Sequence, residues 1–593
     1  MKKNKLDKVE QLLKERKLQD AKALCRRECT KHKATPAAWN LMGIIQNELG
    51  SYPEAEQCFQ RVIALQPQSA LAYYNLAKCL AVQNKLEKAE KYYLKATQLN
   101  PSYIEAYNNL GAIQVDLKKY DEAENNYKKA TQLNPSFAFA LNNLCIVQTK
   151  LFKFEEAIKS LQRSMELKPE YAKAYQNNYS NILLHMNYSN LLSRQDIYEA
   201  HKQWGIAQEN DIKQQLIMNN TPDPDKTLRI AFISPDFRDH AVAYFFEPLL
   251  ENITSDAFEI FCYSDVEKPD DTTEHFKKLS HNWRHCVDLP DEAVTKLIID
   301  DHIDILIDLA GHTGNNRLTL FAKRVAPVQI SYLGYPNTTG LSTMDYLITD
   351  RFLDPDEESE KYYVEKLLHL PNSFFCYKAP IECPEVASAP VLNNDYITFG
   401  SYNNLIKTDE EVIALWSEVL RAVPNSRLII QTASLKFPPM REKYEKLFLA
   451  NHISLARIDL VSSSSFSDYL AGHANVDILL DTFPWNGHTV SCHALWMGVP
   501  FITLAQDKRS SRMGLSILKT LGLDSCIAFN KDQYVNCARQ LAEDRPQLEV
   551  LRKTLRERMQ SSPLCNSKQF TQDFETQLRS AWRTWCENKI EQA

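Results

Sequence analysis

Four short stretches carry residue types suited to chemistry, and each follows an apolar run directly. In "SPDFRDHAVAYFFEPLL", His240 lies between an apolar run and a helical pattern, where an imidazole can act as a base or bind an oxygen. In "SYNNLIKTDEEVIALW", Lys407, with Asn404 three residues before it, stands at the start of a helix. A lysine and a helix N-terminus both favour an anion. In "LLDTFPWNGHTVSCHALWMGVP", Gly487 permits close backbone approach, and His488 and Thr489 fall at the first turn of the next helix. Lys407 and this turn together suit a diphosphate. In "YLGYPNTTG", Leu333, Gly334, Tyr335 and Pro336 open a run of turn formers whose amides can bind ligand oxygens. Two further stretches are "DLAGHTGNNRL", with Gly311, His312 and Gly314, and "QDKRSSRMG", with Lys508, Arg509 and Arg512. Each has a non-functional alternative: a capping histidine, ordinary turn chemistry, or a solvated basic loop.

The elements that must position these residues are short apolar strands alternating with helical patterns. "LRIAFIS", "FEIFCYSD", "DILIDLAG", "VQISYLGYP" and "YLITD" form one series. "YITFGSYN", "SRLIIQT", "DILLDTFP" and "PFITLAQ" form a second. Such alternation predicts parallel sheets with helices on both faces, and two series predict two doubly wound lobes with a ligand at the strand carboxyl ends. The first lobe is assigned to residues 227–380. The second is assigned to 381–593, with a terminal amphipathic helix "FTQDFETQLRSAWRTWCENK" on which Trp582 and Trp585 share a face.

The first third is a repeat array. Pro67, Pro101, Pro135 and Pro169 are 34 residues apart, as are Ala55, Ala89, Ala123 and Ala157. Phe59, Tyr93, Tyr127 and Leu161 keep the period, and so do Gly43, Ala77, Gly111 and Cys145. The pattern matches the tetratricopeptide repeat, two helices per unit, stacked into a superhelix with a concave surface. Residues 35–204 are assigned to it, 1–34 to a helical cap or degenerate unit, and 205–226 to a polar linker. Asn75, Asn109, Asn143 and Asn177 recur at the same interval. An amide both donates and accepts, so this row either holds an extended acceptor peptide by its backbone or ties neighbouring helices together.

Composition excludes several classes. Of 593 residues, 44% are hydrophobic and 24% charged, and the net charge of -6 gives no reason to expect nucleic acid. The charged N-terminus lacks a signal-peptide core, and no window is apolar enough to span a membrane. The 14 cysteines are scattered without metal-ligand spacing, which fits a reducing cytosol; a protein exported by a non-classical route would look the same. There is no GxGxxG after a first strand and no GxxxxGK[ST]. The two "DPD" triplets, 223–225 and 354–356, read as turns, so no metal is expected.

Repeats followed by two α/β halves, with "SPDFRDHAVAYF", "GHTGNNRL", "APVQISYLGYPNTTGLSTMDYLITD", "FGSYNNLIKTDEEVIALWSEVLRAVPNSRLI" and "DILLDTFPWNGHTVSCHALWMGVP" in this order, resemble the O-linked N-acetylglucosamine transferase family, including its Spindly-type branch. The resemblance implies a GT-B glycosyltransferase, inverting and metal-independent, moving N-acetylglucosamine from UDP-N-acetylglucosamine to Ser or Thr of proteins held in the repeat groove. It implies His240 as the base near the transferred sugar and Lys407 as the lysine on the donor phosphates. Gly487, His488 and Thr489 match the turn on phosphate and sugar, and Leu333, Gly334, Tyr335 and Pro336 match the sugar-pocket loop. Asn404 and His493 join the donor-binding set. The chain departs from the N-acetylglucosamine enzymes at Phe466 and Tyr469, where they carry a Lys and a His near the nucleoside. It departs again at Val490 and at His493, where they carry Thr and Asp. The Spindly-type branch includes a GDP-fucose user, so GDP-fucose is the alternative donor. A repeat scaffold without catalysis is the alternative from another class.

Overall fold

A computed structural model of the chain describes residues 5–30, 34–151, 153–168, 176–210, 212, 216, 218–254, 256–355, 357–462 and 465–591. The chain forms two compact units, 1–171 and 172–593.

The first unit is helical. Four pairs follow the repeat: Pro36–Glu48 with Tyr52–Leu65, Ala70–Val82 with Leu86–Leu99, Ile104–Asp116 with Tyr120–Leu133, and Ala138–Lys150 with Phe154–Leu167. Lys5–Lys14 and Leu18–Cys29 precede them as a shorter pair. The small and large positions of the repeat meet where paired helices cross. A Cβ on Gly43 would lie 2.6 Å from the Phe59 ring, and one on Gly111 would lie 2.8 Å from Tyr127. Ion pairs repeat with the same period: Lys85 to Glu56 at 3.0 Å, Lys119 to Glu90 at 2.7 Å and Lys153 to Glu124 at 2.6 Å.

The second unit begins with helices Gln176–Met186 and Arg194–Glu209, which pack with the α/β part. Two parallel sheets follow. The first contains β1 (Leu228–Ser234), β2 (Phe258–Ser264), β3 (Asn282–His285), β4 (Ile305–Asp308), β5 (Val328–Ser331), β6 (Tyr346–Asp350) and β7 (Lys366–Leu370) in the order β3-β2-β1-β4-β5-β6-β7. The second contains β8 (Ile397–Ser401), β9 (Ser426–Gln431), β10 (Ile458–Val461), β11 (Ile478–Leu480), β12 (Phe501–Leu504) and β13 (Ile527–Ala528) in the order β10-β9-β8-β11-β12-β13. The central strands are buried on both faces and β-branched or aromatic: Ile230 aligns with Ile260 on one side and Ile305 on the other. In both sheets the order reverses beside the first strand, and the crevice at that switch point is where ligands bind in such folds.

The terminal helix, Ser567–Glu591, follows the second sheet in sequence but packs on the first lobe. Trp582 Nε1 donates to Asp223 O at 2.8 Å, Arg579 Nη1 donates to Lys226 O at 2.8 Å, and Phe574 meets Tyr332 at 5.3 Å. One hydrophobic core runs through both lobes. All 14 cysteines are free thiols. Among the described residues no helix is long and apolar enough to cross a membrane.

Candidate active site

Lys407 lies beyond the end of β8, in the 3-10 turn Leu405–Lys407 that Asn404 caps through Ile406 N–H. This corrects its placement in a helix first turn. The α-helix starts at Glu410, and the Asp409 carboxylate caps its Val412 amide at 2.8 Å. Lys407 therefore works as a point charge, apart from that helix dipole. Its Nζ donates to Asn486 O at 2.8 Å and sits 5.3 Å from the centre of the Trp485 ring. Burial pulls the ammonium down to about 8, against the opposing pull of Asp481.

Asp481, at the end of β11, organises the turn that Lys407 reaches. It accepts from Gly487 N at 2.7 Å and from Thr503 Oγ1 at 2.9 Å. Burial pushes its carboxyl up to about 6. Gly487 is needed there: a Cβ would come within 2.6 Å of Ser491 Oγ and 3.2 Å of Asp481 Oδ1. His488 is the N-cap and Thr489 the first residue of helix Thr489–Trp496, and no side chain caps its amides. The first N–H groups of a helix have no intrahelical partner, so this end is an anion site by construction. The His488 Nε2 atom is buried without a hydrogen-bond partner, and burial with the nearby Lys407 and Arg509 charges keeps the ring neutral.

The first lobe brings His240 to the same turn. Thr489 Oγ1 donates to Ala241 O at 3.4 Å, joining the loop after β1 to the loop after β11. Asp239 N donates to Asp270, which holds the His240 loop, and Ala243 N closes the next helix onto His240 O. The Nδ1 atom of His240 faces Asp236 Oδ2 at 3.7 Å and the Val242 amide at 3.4 Å. Burial lowers the imidazole below its ordinary value, while Asp236 pulls the other way. In the tautomer that holds its proton on Nδ1, directed at Asp236 in place of accepting from Val242 N–H, the neutral ring can act as a general base through Nε2.

His493, one turn along the same helix, is buried in an aromatic cage. Tyr244 lies 5.0 Å away, Phe466 5.5 Å, Tyr469 5.6 Å and Tyr377 5.9 Å between ring centres. Its Nδ1 meets Tyr469 OH at 3.2 Å, and its Nε2 has no partner. Burial pushes it down to about 3, so the ring is neutral.

The Leu333–Pro336 loop is held from behind. Leu333 has φ +71°, and a Cβ on Gly334 would lie 1.9 Å from Leu309 O. Tyr335 is buried, its hydroxyl 2.6 Å from His201 Nε2 and 3.0 Å from Asn187 Nδ2. Tyr335 therefore anchors the loop through its side chain.

Other candidates are structural. His312 is fully buried between Ser180 Oγ at 2.9 Å and Thr339 O at 2.8 Å, with Trp204 edge-on at 4.5 Å. Lys508 donates to Ser189 O, Arg509 to Asp354 and Ile348 O, and Arg512 to Phe352 O, so this cluster is tied into the fold and is not a solvated loop. Asp354, from the second "DPD", is occupied by Arg194 and Arg509. Glu247, Glu251 and His275 come close enough for a metal ion, but Lys378 Nζ already lies 2.7 Å from both carboxylates.

In the first unit, Asn75 Nδ2 donates to Asn40 Oδ1 at 2.8 Å, Asn109 Nδ2 to Tyr74 OH at 3.0 Å and Asn143 Nδ2 to Asn108 Oδ1 at 3.1 Å. Each thus spends one N–H on the preceding unit. A second N–H of each amide remains as capacity for a ligand, as do the carbonyl lone pairs of Asn75 and Asn143, whereas Asn109 Oδ1 already accepts from Asn108 Nδ2 at 3.2 Å. The side chain of Asn177 lies outside the described residues.

Sequence reasoning missed Asp481 and Trp485 as site residues, and Tyr188, which stacks on Trp485 at 4.5 Å. Asp481 carried a signal, a carboxylate ending an apolar strand. The aromatic pair carried none, because its members are far apart in sequence.

Comparison with known proteins fits this geometry. A curated relative from Petunia hybrida, described as a probable UDP-N-acetylglucosamine--peptide N-acetylglucosaminyltransferase SPINDLY, is 40% identical over 415 residues, which are 69% of this chain and 44% of that protein. One from Arabidopsis thaliana, the corresponding SEC protein, is 31% identical over 374 residues, 61% of this chain and 38% of its own. The chain thus spans less than half the length of these relatives. The solved structure of a Thermobaculum terrenum O-GlcNAc transferase mutant superposes with a TM-score of 0.71 at 30% identity, covering 88% of this chain and 98% of that one. Residues 41–104 and 104–137 match tetratricopeptide repeat models. Residues 187–379 and 386–574 match the model of glycosyl transferase family 41, and the chain belongs to that family.

Proposed function

We propose that the protein is an inverting protein O-glycosyltransferase that moves a sugar from a nucleoside diphosphate donor to Ser or Thr hydroxyls. The observation that carries the reading is the convergence of a desolvated ammonium, Lys407, and an uncapped helix N-terminus, Thr489, on one turn. Displacement at the anomeric carbon builds negative charge on the leaving diphosphate. A half-buried cation and unpaired amides stabilise that charge without a metal. The acceptor hydroxyl loses its proton to His240, whose loop touches the same turn. The acceptor protein lies along the repeat groove, where the Asn75, Asn109 and Asn143 amides keep free valence.

The donor is UDP-N-acetylglucosamine, a reading supported by the names its relatives carry. A second reading, GDP-fucose, is favoured by the cage of Tyr244, Phe466 and Tyr469 around His493. Of these, Phe466 and Tyr469 stand where the N-acetylglucosamine enzymes carry a Lys and a His. The test is intact-mass analysis of acceptor proteins after incubation with each nucleotide sugar. A gain of one N-acetylhexosamine supports the first donor and a gain of one deoxyhexose the second. No gain with any donor overturns the catalytic reading and leaves a repeat scaffold.

A further inference from the structure

Four consecutive residues between helices Gln176–Met186 and Arg194–Glu209 touch both lobes. Asn187 Nδ2 donates to Tyr335 OH at 3.0 Å, and its Oδ1 accepts from Asn337 Nδ2 at 2.8 Å, both in the first lobe. Tyr188 stacks on Trp485 of the second lobe, with ring centres 4.5 Å apart and planes 19° from parallel. Ser189 O accepts from the buried Lys508 ammonium at 2.6 Å, and Asn190 Nδ2 donates to Asp409 Oδ2 at 3.0 Å. Apart from Lys508, the contacts end on residues of, or next to, the candidate site. Tyr335 carries the sugar-pocket loop, Trp485 flanks Lys407, and Asp409 caps the helix two residues beyond Lys407.

We infer that residues 187–190 form a strut that fixes the two lobes' loops relative to each other, and that Tyr188 is a positioning residue for Lys407, acting through Trp485. The bond pattern makes the strut directional. His201 Nδ1 lies 2.6 Å from Ile197 O, a carbonyl that can only accept, so Nδ1 carries the proton and Nε2 accepts from Tyr335 O–H. Tyr335 oxygen is then free to accept from Asn187. On the other side, the Trp485 ring is stacked against Tyr188 and carries the Lys407 ammonium over it, 5.3 Å from the ring centre. Removing the Tyr188 ring opens space beside Trp485, and the indole that borders Lys407 loses its support. The consequence for the donor rests on the function proposed above; the consequence for the loops does not.

The experiment uses the full chain and two readouts. Hydrogen–deuterium exchange without nucleotide is compared for wild type, Tyr188→Ala, Tyr188→Phe and Asn187→Ala. The expected result is at least tenfold faster exchange at 485–490 in Tyr188→Ala and at 334–340 in Asn187→Ala, with Tyr188→Phe like wild type because it keeps the ring. Calorimetry with UDP and GDP then reads the donor side: about tenfold weaker binding in Tyr188→Ala, restored in Tyr188→Phe. Unchanged exchange at both loops overturns the strut. Faster exchange with unchanged nucleotide affinity overturns the positioning role of Tyr188. If wild type binds neither nucleotide, the proposed function fails, and the exchange data still decide the strut.

Discussion

Replacing Lys407 by Met separates a functional from a structural lysine. Burial lowers this ammonium from its ordinary 10.5 to about 8. A drop of that size corresponds to about 3 kcal/mol of disfavoured charge, nearer 2 kcal/mol once the solvent reaching a half-buried side chain is allowed for. The sign follows from proton counting. Between pH 8 and 10.5 the unfolded chain holds the proton and the folded chain has released it, so stability rises with pH across that window. Below pH 8 the folded protein carries the full penalty. Methionine fills similar space and removes the penalty, at the loss of the charged hydrogen bond to Asn486 O, worth about 1.5–3 kcal/mol. The two offset, so the melting temperature at pH 7 should move by only a few degrees. A saturating nucleoside diphosphate should raise the wild-type melting point through about 2.7 kcal/mol at one hundred times Kd, and should leave Lys407→Met unmoved. In the wild type, diphosphate affinity should fall about tenfold per pH unit above 8, as the ammonium is lost. Thermal scans with and without UDP and GDP, from pH 7 to 9, measure all three. A loss of more than about 3 kcal/mol in Lys407→Met would show that the lysine serves the fold. An unchanged nucleotide response would show that it does not hold the diphosphate.

His240→Asn should leave nucleotide affinity within a factor of two or so and cut turnover about 10²–10⁴-fold, measured by sugar incorporation under saturating donor. Gly334→Ala forces a Cβ against Leu309 O and should destabilise the protein by more than about 2 kcal/mol, whereas Gly314→Ala, with nothing within 4 Å of its Cβ, should be silent in denaturant titration. Replacing Asn75, Asn109 and Asn143 together by Ala removes three inter-repeat bonds at about 1 kcal/mol each, lowering the stability of the repeat unit. If the row also holds acceptors, transfer to proteins should fall more than transfer to a short free peptide.

The inner strands of both sheets were legible because burial on two faces demands an unbroken apolar run, as in "LRIAFIS" and "FEIFCYS". Edge strands β3, β7 and β10 were not, because they keep a polar face: Asn282, Arg284, Lys366, His369 and Asp459 interrupt the signal; β13, at the other edge, is only two residues, Ile527–Ala528. The 34-residue period exposed the repeats because each unit solves the same crossing problem with the same small and large pair. Gly487, His488 and Thr489 could be read from local chemistry, since a strand, a glycine turn and a helix start are all sequence-near. His312 shows the limit of that logic. Its "GHTG" setting looks like the turn at Gly487, yet Trp204 and Ser180, more than 100 residues upstream, close over it.

The same contrast explains why the candidate-site loops need more than their own sequence. A turn such as 485–489 can specify which amides it offers, but it cannot specify its distance from a loop on another sheet. His240 and Lys407 act on one donor only if the loops after β1, β8 and β11 keep a fixed spacing, and near-attack geometry tolerates errors of well under about 1 Å. The hydrogen bond between the facing turns, Thr489 to Ala241 at 3.4 Å, is long and exposed, too weak to set that spacing alone. The buried contacts that span the lobes lie elsewhere: Arg509 to Asp354 and Ile348 O, Ser516 to Asp350 at 2.6 Å, and residues 187–190 with a foot on each side. In this chain the basic cluster after β12 and the segment ahead of the first sheet do the work of alignment. The reacting groups can then stay on loops that remain open to substrate.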